Sequence, residues 1–205
     1  MTVNYATLAQ VKSALRITDQ IDDGLLNTAI QSASRWVDGW CDRSFAPAAA
    51  GTAVGAFTSR DYTPTDRFGV IYIDDCVEVS EVRIDDDLDR TFSTTLLAAD
   101  FLLEPVNEER YGLTLPFTRL RPYEDGYWPT FRNRPTVRVT AWFGWPEVPV
   151  AVREATILQA SRLFTRLDSP LGVAGFGDIG AMRVSRFVDP DVEMLLAPYR
   201  RIRYA

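Results

Sequence analysis

The stretch DDGLLNTAIQSASRWVDGW, residues 22–40, decides how the rest of the chain is read. Its residues Leu26, Ile30, Ala33, Val37 and Trp40 advance by three or four positions at each step, the spacing of one buried stripe on an α-helix. Asp22 or Asp23 stands where an N-cap belongs. Upstream, residues 19–23 read as a turn. Before it, Thr7 caps a first helix over 7–17, on which Leu8, Val11 and Leu15 recur at helical spacing. Two helices with so short a link form an antiparallel pair.

Downstream the period changes at Ala46. A small-residue linker, PAAAGTAVGA, leads into short runs rich in β-branched and aromatic residues at 70–73, 77–84, 96–103, 111–115 and 137–143. Gly, Pro and Asp clusters separate them, so Asp74-Asp75 and the run from Asp85 to Asp89 read as turns. Within the last run Val137, Val139 and Ala141 alternate with Arg138, Thr140 and Trp142, one face buried and one open. The sequence WPEVP at 145–149 closes the region, with Pro149 placed for the first turn of a third helix to about 168 that carries Ile157, Ala160, Phe164 and Leu167 on one face. A glycine-rich loop at 171–180 and an extended piece at 182–187 follow. Asp189 as N-cap and Pro190 at the first position start a last helix, with Val192, Leu195, Leu196 and Tyr199 inward and Pro198 near its end.

The fold predicted from this pattern is α+β. Helix pairs in 1–45 and 146–199 pack as one four-helix bundle, a small antiparallel sheet or barrel in 46–145 is inserted between helices 2 and 3, and 200–205 form a basic tail.

Composition narrows the function. The 205 residues include no histidine, the side chain most used for acid–base work and metal binding near neutral pH. Cys41 and Cys76 are the only cysteines and form no CxxC pair, which predicts a reduced protein with no zinc site. No leader-like N-terminus and no long apolar run occur, so the expectation is a soluble protein, intracellular where it is made, with no membrane partner. The net charge of −6 conceals an asymmetry: residues 1–115 carry 9 basic against 19 acidic groups, residues 116–205 carry 13 against 9. All the basic residues but Lys12 are arginine, which favours forked recognition of carboxylate or phosphate, although codon bias produces the same skew.

The motifs that remain fail on context. Gly175-Phe-Gly177-Asp-Ile-Gly180 matches G-x-G-x-x-G, but neither the preceding strand nor the following helix of a dinucleotide site is there. Asp85, Asp87 and Asp89 alternate like calcium ligands, yet Arg90 and Leu96 occupy the positions that need Gly and Glu. Seryl or cysteinyl catalysis has no histidine to use as base. The expectation is therefore a non-enzyme with no cofactor and no metal. Two arginine segments, 132–138 and 200–204, interleave with Phe131, Tyr199 and Tyr204 in a manner suited to phosphate and base contacts; an arm docking on an acidic protein, or for 132–138 a solvated strand face, are the other readings.

Three stretches together resemble the head-to-tail connector, or adaptor, proteins of long-tailed bacteriophages, especially those of actinobacteria. They are residues 5–17 with Asp22-Asp-Gly-Leu-Leu26 and the helix closing in Trp40-Cys-Asp-Arg-Ser-Phe45; residues 143–149 leading into Ala151-Val-Arg-Glu-Ala155; and 166–173 with Arg183-Val-Ser-Arg186, Asp189-Pro-Asp-Val192 and 195–200. The resemblance implies a ring of about twelve copies below the portal protein, a partner set of portal, neighbouring copies and a stopper, head-completion or tail-terminator protein, and phage DNA passing through the lumen without sequence recognition. It places the protein in the virion at the head-to-tail junction, assembled in the host bacterial cytoplasm. The tail residues Tyr199, Arg200, Arg201, Ile202, Arg203 and Tyr204 are the expected portal-docking arm, and Leu171, Gly172, Gly175, Phe176, Gly177 and Gly180 the expected contact with a ring neighbour. A sequence-independent nucleic-acid-binding protein using the basic C-terminal half is the alternative, and a carbohydrate-binding or carbohydrate-hydrolysing tail component using the β-rich part is a third reading.

Overall fold

A computed structural model describes residues 3–47, 57–107, 109–110, 113–123, 126–167, 173–174, 182–183 and 189–201. In chain order the elements are α1 (Leu8–Leu15), α2 (Asp23–Cys41), β1 (Thr58–Tyr62), β2 (Ile71–Ile84), β3 (Thr94–Leu96), β4 (Phe101–Glu104), β5 (Glu109–Arg110), β6 (Leu113–Thr114), β7 (Phe117–Pro122), β8 (Val137–Phe143), α3 (Val150–Leu167), β9 (Val173–Ala174), β10 (Met182–Arg183), α4 (Pro190–Leu196) and a 3₁₀ turn, Ala197–Tyr199. They fall into two compact units: residues 1–45 with 148–205, and residues 46–147.

In the helical unit, the α1 start is a capping box: the Thr7 hydroxyl accepts the Gln10 amide at 3.3 Å and the Gln10 side chain accepts the Thr7 amide at 2.8 Å. Arg16, in the left-handed region at φ 58°, ends the helix after eight residues. Lys12, the single lysine, then reaches across the turn to the Asp23 carboxylate at 2.6 Å and to the Asp19 carbonyl, fixing how α2 departs. Leu26, Ile30 and Ala33 of α2 are buried with Val11 of α1 and with Ile157 and Ala160 of α3. Asp189 caps α4 as its sequence predicts, accepting the Asp191 amide at 3.0 Å, and its carboxylate also holds Arg162 of α3 at 3.2 Å.

These helices do not make the four-helix bundle expected from the pattern, although the α+β class holds. Only α2 and α3, with 19 and 18 residues, are long; α1 and α4 have 8 and 7. A bundle needs four staves of comparable length to bury a continuous core. Here α2 and α3 form the one long pair, α1 packs against both, and α4 packs against α3. Apolar spacing marks which face of a helix is buried, but the left-handed Arg16 and the 3₁₀ turn at Pro198 set how far each short helix runs.

The other unit is an open antiparallel sheet in the order β1-β8-β2-β7-β4, with β3 on β2, and among the described residues no barrel closes from it. Cys76 of β2 pairs with both Phe143 of β8 and Phe117 of β7, so β7 and β8 occupy opposite edges of β2. β3 pairs with Val82–Ile84, where β8 is already in place, and therefore follows β7 along the same edge. Two expected strands, 70–73 and 77–84, are the single β2, and Asp74-Asp75 lie inside it rather than in a turn. Register shifts on either side of Cys76 bend the strand. Buried Asp75 accepts the Trp145 indole N–H at 3.0 Å, which removes the cost of a carboxylate in the ladder. The core under one face joins Ile71, Ile73, Val82, Ile84, Leu120, Val137, Val139 and Trp128. The opposite face carries Arg138, bound to Asp61 by two bonds of 2.6 and 2.8 Å, and Arg119 and Arg121 on Glu104.

Candidate functional site

The site is built around the C-terminal end of α2. Tyr5 donates its hydroxyl to Asp38, accepts the Phe45 amide at 2.9 Å, and donates its own amide to buried Ser34 at 3.1 Å. Arg35 ties Asp38 at 2.9 Å and the Val3 carbonyl at 2.7 Å. The N-terminal strand of chain and the turn after α2 are thus fastened to one helix. Phe45 stands edge-on to Tyr5 at 5.9 Å and to Tyr199 at 5.8 Å, a T-shaped triad.

That triad sets where the C-terminal arm begins. Tyr199 is 8% exposed and acts as the anchor. Arg200 lays its guanidinium over Trp40 at 5.0 Å, and Trp40 is stacked on Trp36 at 5.4 Å. The Arg201 amide donates to the Cys41 carbonyl at 2.9 Å, satisfying one of the carbonyls that a helix end leaves open. Of the expected docking arm, the structure therefore places Tyr199, Arg200 and Arg201 on α2; Ile202, Arg203 and Tyr204 lie outside the described residues. The expected ring-neighbour residues Leu171, Gly172, Gly175, Phe176, Gly177 and Gly180 also lie outside them. The Trp36–Trp40 seat was missed in the sequence, although two tryptophans four apart on a helix were a legible signal.

Charge on this end is controlled by burial. Burial first, then the Asp38 hydrogen bond, pushes the Tyr5 phenol up to about 12. Burial pushes the Cys41 thiol up to about 11 against the pull of Arg43 and Arg200, and in the sheet unit pushes the Cys76 thiol up to about 12. These groups hold their protons in the folded chain at a pH where the unfolded chain, with ordinary values of 9.0 for thiol and 10.0 for phenol, releases them. Folded-state pKa values above the unfolded ones give stability that is complete below about 9 and lost as pH rises toward 12. The urea midpoint should accordingly fall steadily from pH 8.5 to 11.5; a flat profile contradicts the assignment.

In the sheet unit, Asp85, Asp87 and Asp89 do gather, with ligand oxygens within 4.8 Å of one another. Their contacts are those of a turn between β2 and β3. Asp85 accepts the Arg90 amide at 3.2 and 3.3 Å, and Asp89 takes both the amide and hydroxyl of Thr91 at 2.6 and 2.7 Å. The 132–138 segment divides: Arg138 is on the sheet, whereas 131–134 is a tight turn with Arg132 and Asn133 at φ 45° and 56° and the Arg134 amide donating to the Phe131 carbonyl at 2.8 Å.

No helix among the described residues is long and apolar enough to cross a membrane. The fold and this end of α2 define an α+β scaffold of two units whose C-terminal arm leaves from an aromatic mount. Residues 5–69, from Tyr5 through both N-terminal helices and β1, match the family model described as Phage gp6-like head-tail connector protein. The resemblance read from residues 5–45 thus rests on a family match, while the stretches at 143–155 and 166–200 lie beyond the matched span. No curated protein matches the chain. Among solved structures, a chain of "Neck of empty GTA particle computed with C6 symmetry" is 17% identical, covers 97% of this chain and 90% of that chain, and superposes with a TM-score of 0.52, a shared fold. A chain of "Neck of native GTA particle computed with C12 symmetry" has the same identity and coverage with a TM-score of 0.49.

Proposed function

We propose that this chain is a structural head-to-tail adaptor: a ring of about twelve copies below the portal of a tailed phage or phage-like particle, extending the DNA channel and presenting a platform to the next neck or tail protein. The observation that carries it is the connector-family match over residues 5–69. A chain with this fold belongs to a neck computed with six-fold symmetry, an averaging that a ring of twelve also satisfies. The arm beginning at Arg200 is the portal-docking element of this reading. Its root is held on Trp40 and Cys41, and arginine forks give register on partner carboxylates.

Among the described residues, deleting 200–205 removes two backbone hydrogen bonds, Arg201 to the Cys41 carbonyl and the longer Arg200 to the Ala197 carbonyl, and one cation–π contact, a loss of about 2 kcal/mol that leaves the helical unit folded. The truncated chain should keep its circular dichroism spectrum and lose at least tenfold in portal affinity by pull-down and titration. Full portal binding by that chain would eliminate the arm, and images of particles with no ring of this chain at the junction would eliminate the adaptor.

A further inference from the structure

Tyr62, Val137, Ile84 and Thr94 stand in one row across the sheet, because Tyr62 and Ile84 each pair with Val137 and Ile84 pairs with Thr94. Two turns project from that end of the sheet unit, one acidic and one basic. The turn after Ile84 exposes Asp86, Asp87 and Asp89. Among the described residues Asp86 accepts from Thr94, Asp89 accepts from Thr91, and Asp87 is hydrogen-bonded with Asp89, with no ion pair. The turn before Val137 holds Arg132 and Arg134 with their guanidinium groups 5.2 and 5.4 Å from the Phe131 ring, again without an ion pair among the described residues. By contrast, the arginines at 60, 83, 119, 121 and 138 on the strands of the large sheet have carboxylate partners.

The aromatic residues that flank the two turns lie on opposite faces of the sheet. Phe92 lies against the Arg138 guanidinium at 4.0 Å, on the open face, and brings the acidic turn to that side. Trp128, three residues before Phe131, is buried in the core beneath the other face and brings the arginine turn from there. Asp85 and Thr136 join the roots of the two turns by a hydrogen bond of 2.9 Å, yet among the described residues no ion pair forms between their charges within the copy, and the charges match in a head-to-tail contact. That is the heterologous geometry by which rotation closes a ring.

We propose that the Phe131–Arg134 turn of one copy docks on the Asp86–Asp89 turn of the next, with the ring axis running along the strands. The proposal rests on the ring reading above and names the sheet-unit contact within it. Arginine on an aromatic ring is a rigid, weakly hydrated donor, and a two-sided fork from Arg132 and Arg134 fits a turn that offers three carboxylates. The area around Phe131 supplies the apolar contact that such pairs need to exclude water.

The chain's single lysine makes the test specific. Full-length Arg132→Lys and Arg134→Lys variants, prepared in isotopically heavy and light forms and mixed in equal amounts, are treated with a carbodiimide, which joins an amine to a carboxylate in contact. The expected result is cross-linked peptide pairs between 131–134 and 85–90 that carry one heavy and one light partner. Mass photometry on the same samples follows assembly. Oligomers without mixed pairs, or pairs of one label only, overturn this contact and leave the ring standing; no oligomer in solution and none in isolated particles removes the ring reading as well. Arg132→Glu with Arg134→Glu should weaken self-association about tenfold or more, and adding Asp86→Arg with Asp87→Arg should restore it. Restoration separates a broken contact from a misfolded unit. Duplex DNA at about 50 mM salt is the competing ligand, and binding that disappears with Arg132→Glu and Arg134→Glu would reassign the turn to nucleic acid.

Discussion

Trp128→Ala is expected to cost the sheet unit about 3–5 kcal/mol, the range for emptying a buried aromatic site. Trp128 has no exposed surface and fills the core between Ile73, Val82, Leu120 and Val139. Its backbone amide donates to the Arg67 carbonyl at 2.8 Å and its indole N–H to the Gly69 carbonyl at 3.0 Å, so the one residue pins two long connections over the same face. Truncation opens a cavity and strands the Gly69 carbonyl at once. Trp128→Phe separates the two effects, since it retains most of the packing and loses only the hydrogen bond, worth about 1 kcal/mol. Urea unfolding followed by far-UV circular dichroism measures both variants. A cost for Trp128→Ala below about 1 kcal/mol would show that the two connections do not depend on it.

What the sequence made legible was local. The 22–40 stripe, the Thr7 cap, the Asp189-Pro190 start and the 137–143 alternation each depend on neighbours within a turn or a strand, and each appears in the structure as α2, α1, α4 and β8. What stayed hidden depends on partners far away in the chain. Asp74-Asp75 looks like a turn until Trp145, 70 residues on, supplies the donor that lets Asp75 be buried in β2. The arginines of β7 blur its alternation because Arg119 and Arg121 find Glu104 on β4. The bundle failed for a related reason: spacing identifies a buried stripe, but the length of a short helix is set by its end, here the left-handed Arg16 and the Pro198 turn. At the candidate site the basic arm was visible as composition, whereas its seat required Trp36 and Trp40 to meet a residue 160 positions from Trp40.

Tyr199→Ala should produce the second large effect, and it distinguishes anchoring from docking. The Tyr199 ring is the outer member of the Tyr5–Phe45–Tyr199 triad, and replacing it removes one edge-on contact from Phe45 while leaving Phe45, now with no exposed surface, beside a cavity. The expected loss is about 3–4 kcal/mol in the helical unit. Tyr199→Phe preserves the ring contacts and should fall within about 1 kcal/mol of the native chain. The arm of the proposed adaptor leaves the triad one residue later, at Arg200, so the alanine variant frees its root as well. Three variants then separate the roles: deletion of 200–205 weakens portal attachment at a smaller cost in stability than Tyr199→Ala, Tyr199→Ala weakens both attachment and stability strongly, and Tyr199→Phe weakens neither by much. If Tyr199→Ala attached normally to the portal despite its lower stability, the arm would act through its own residues alone, and the aromatic mount would serve the fold without aiming the arm.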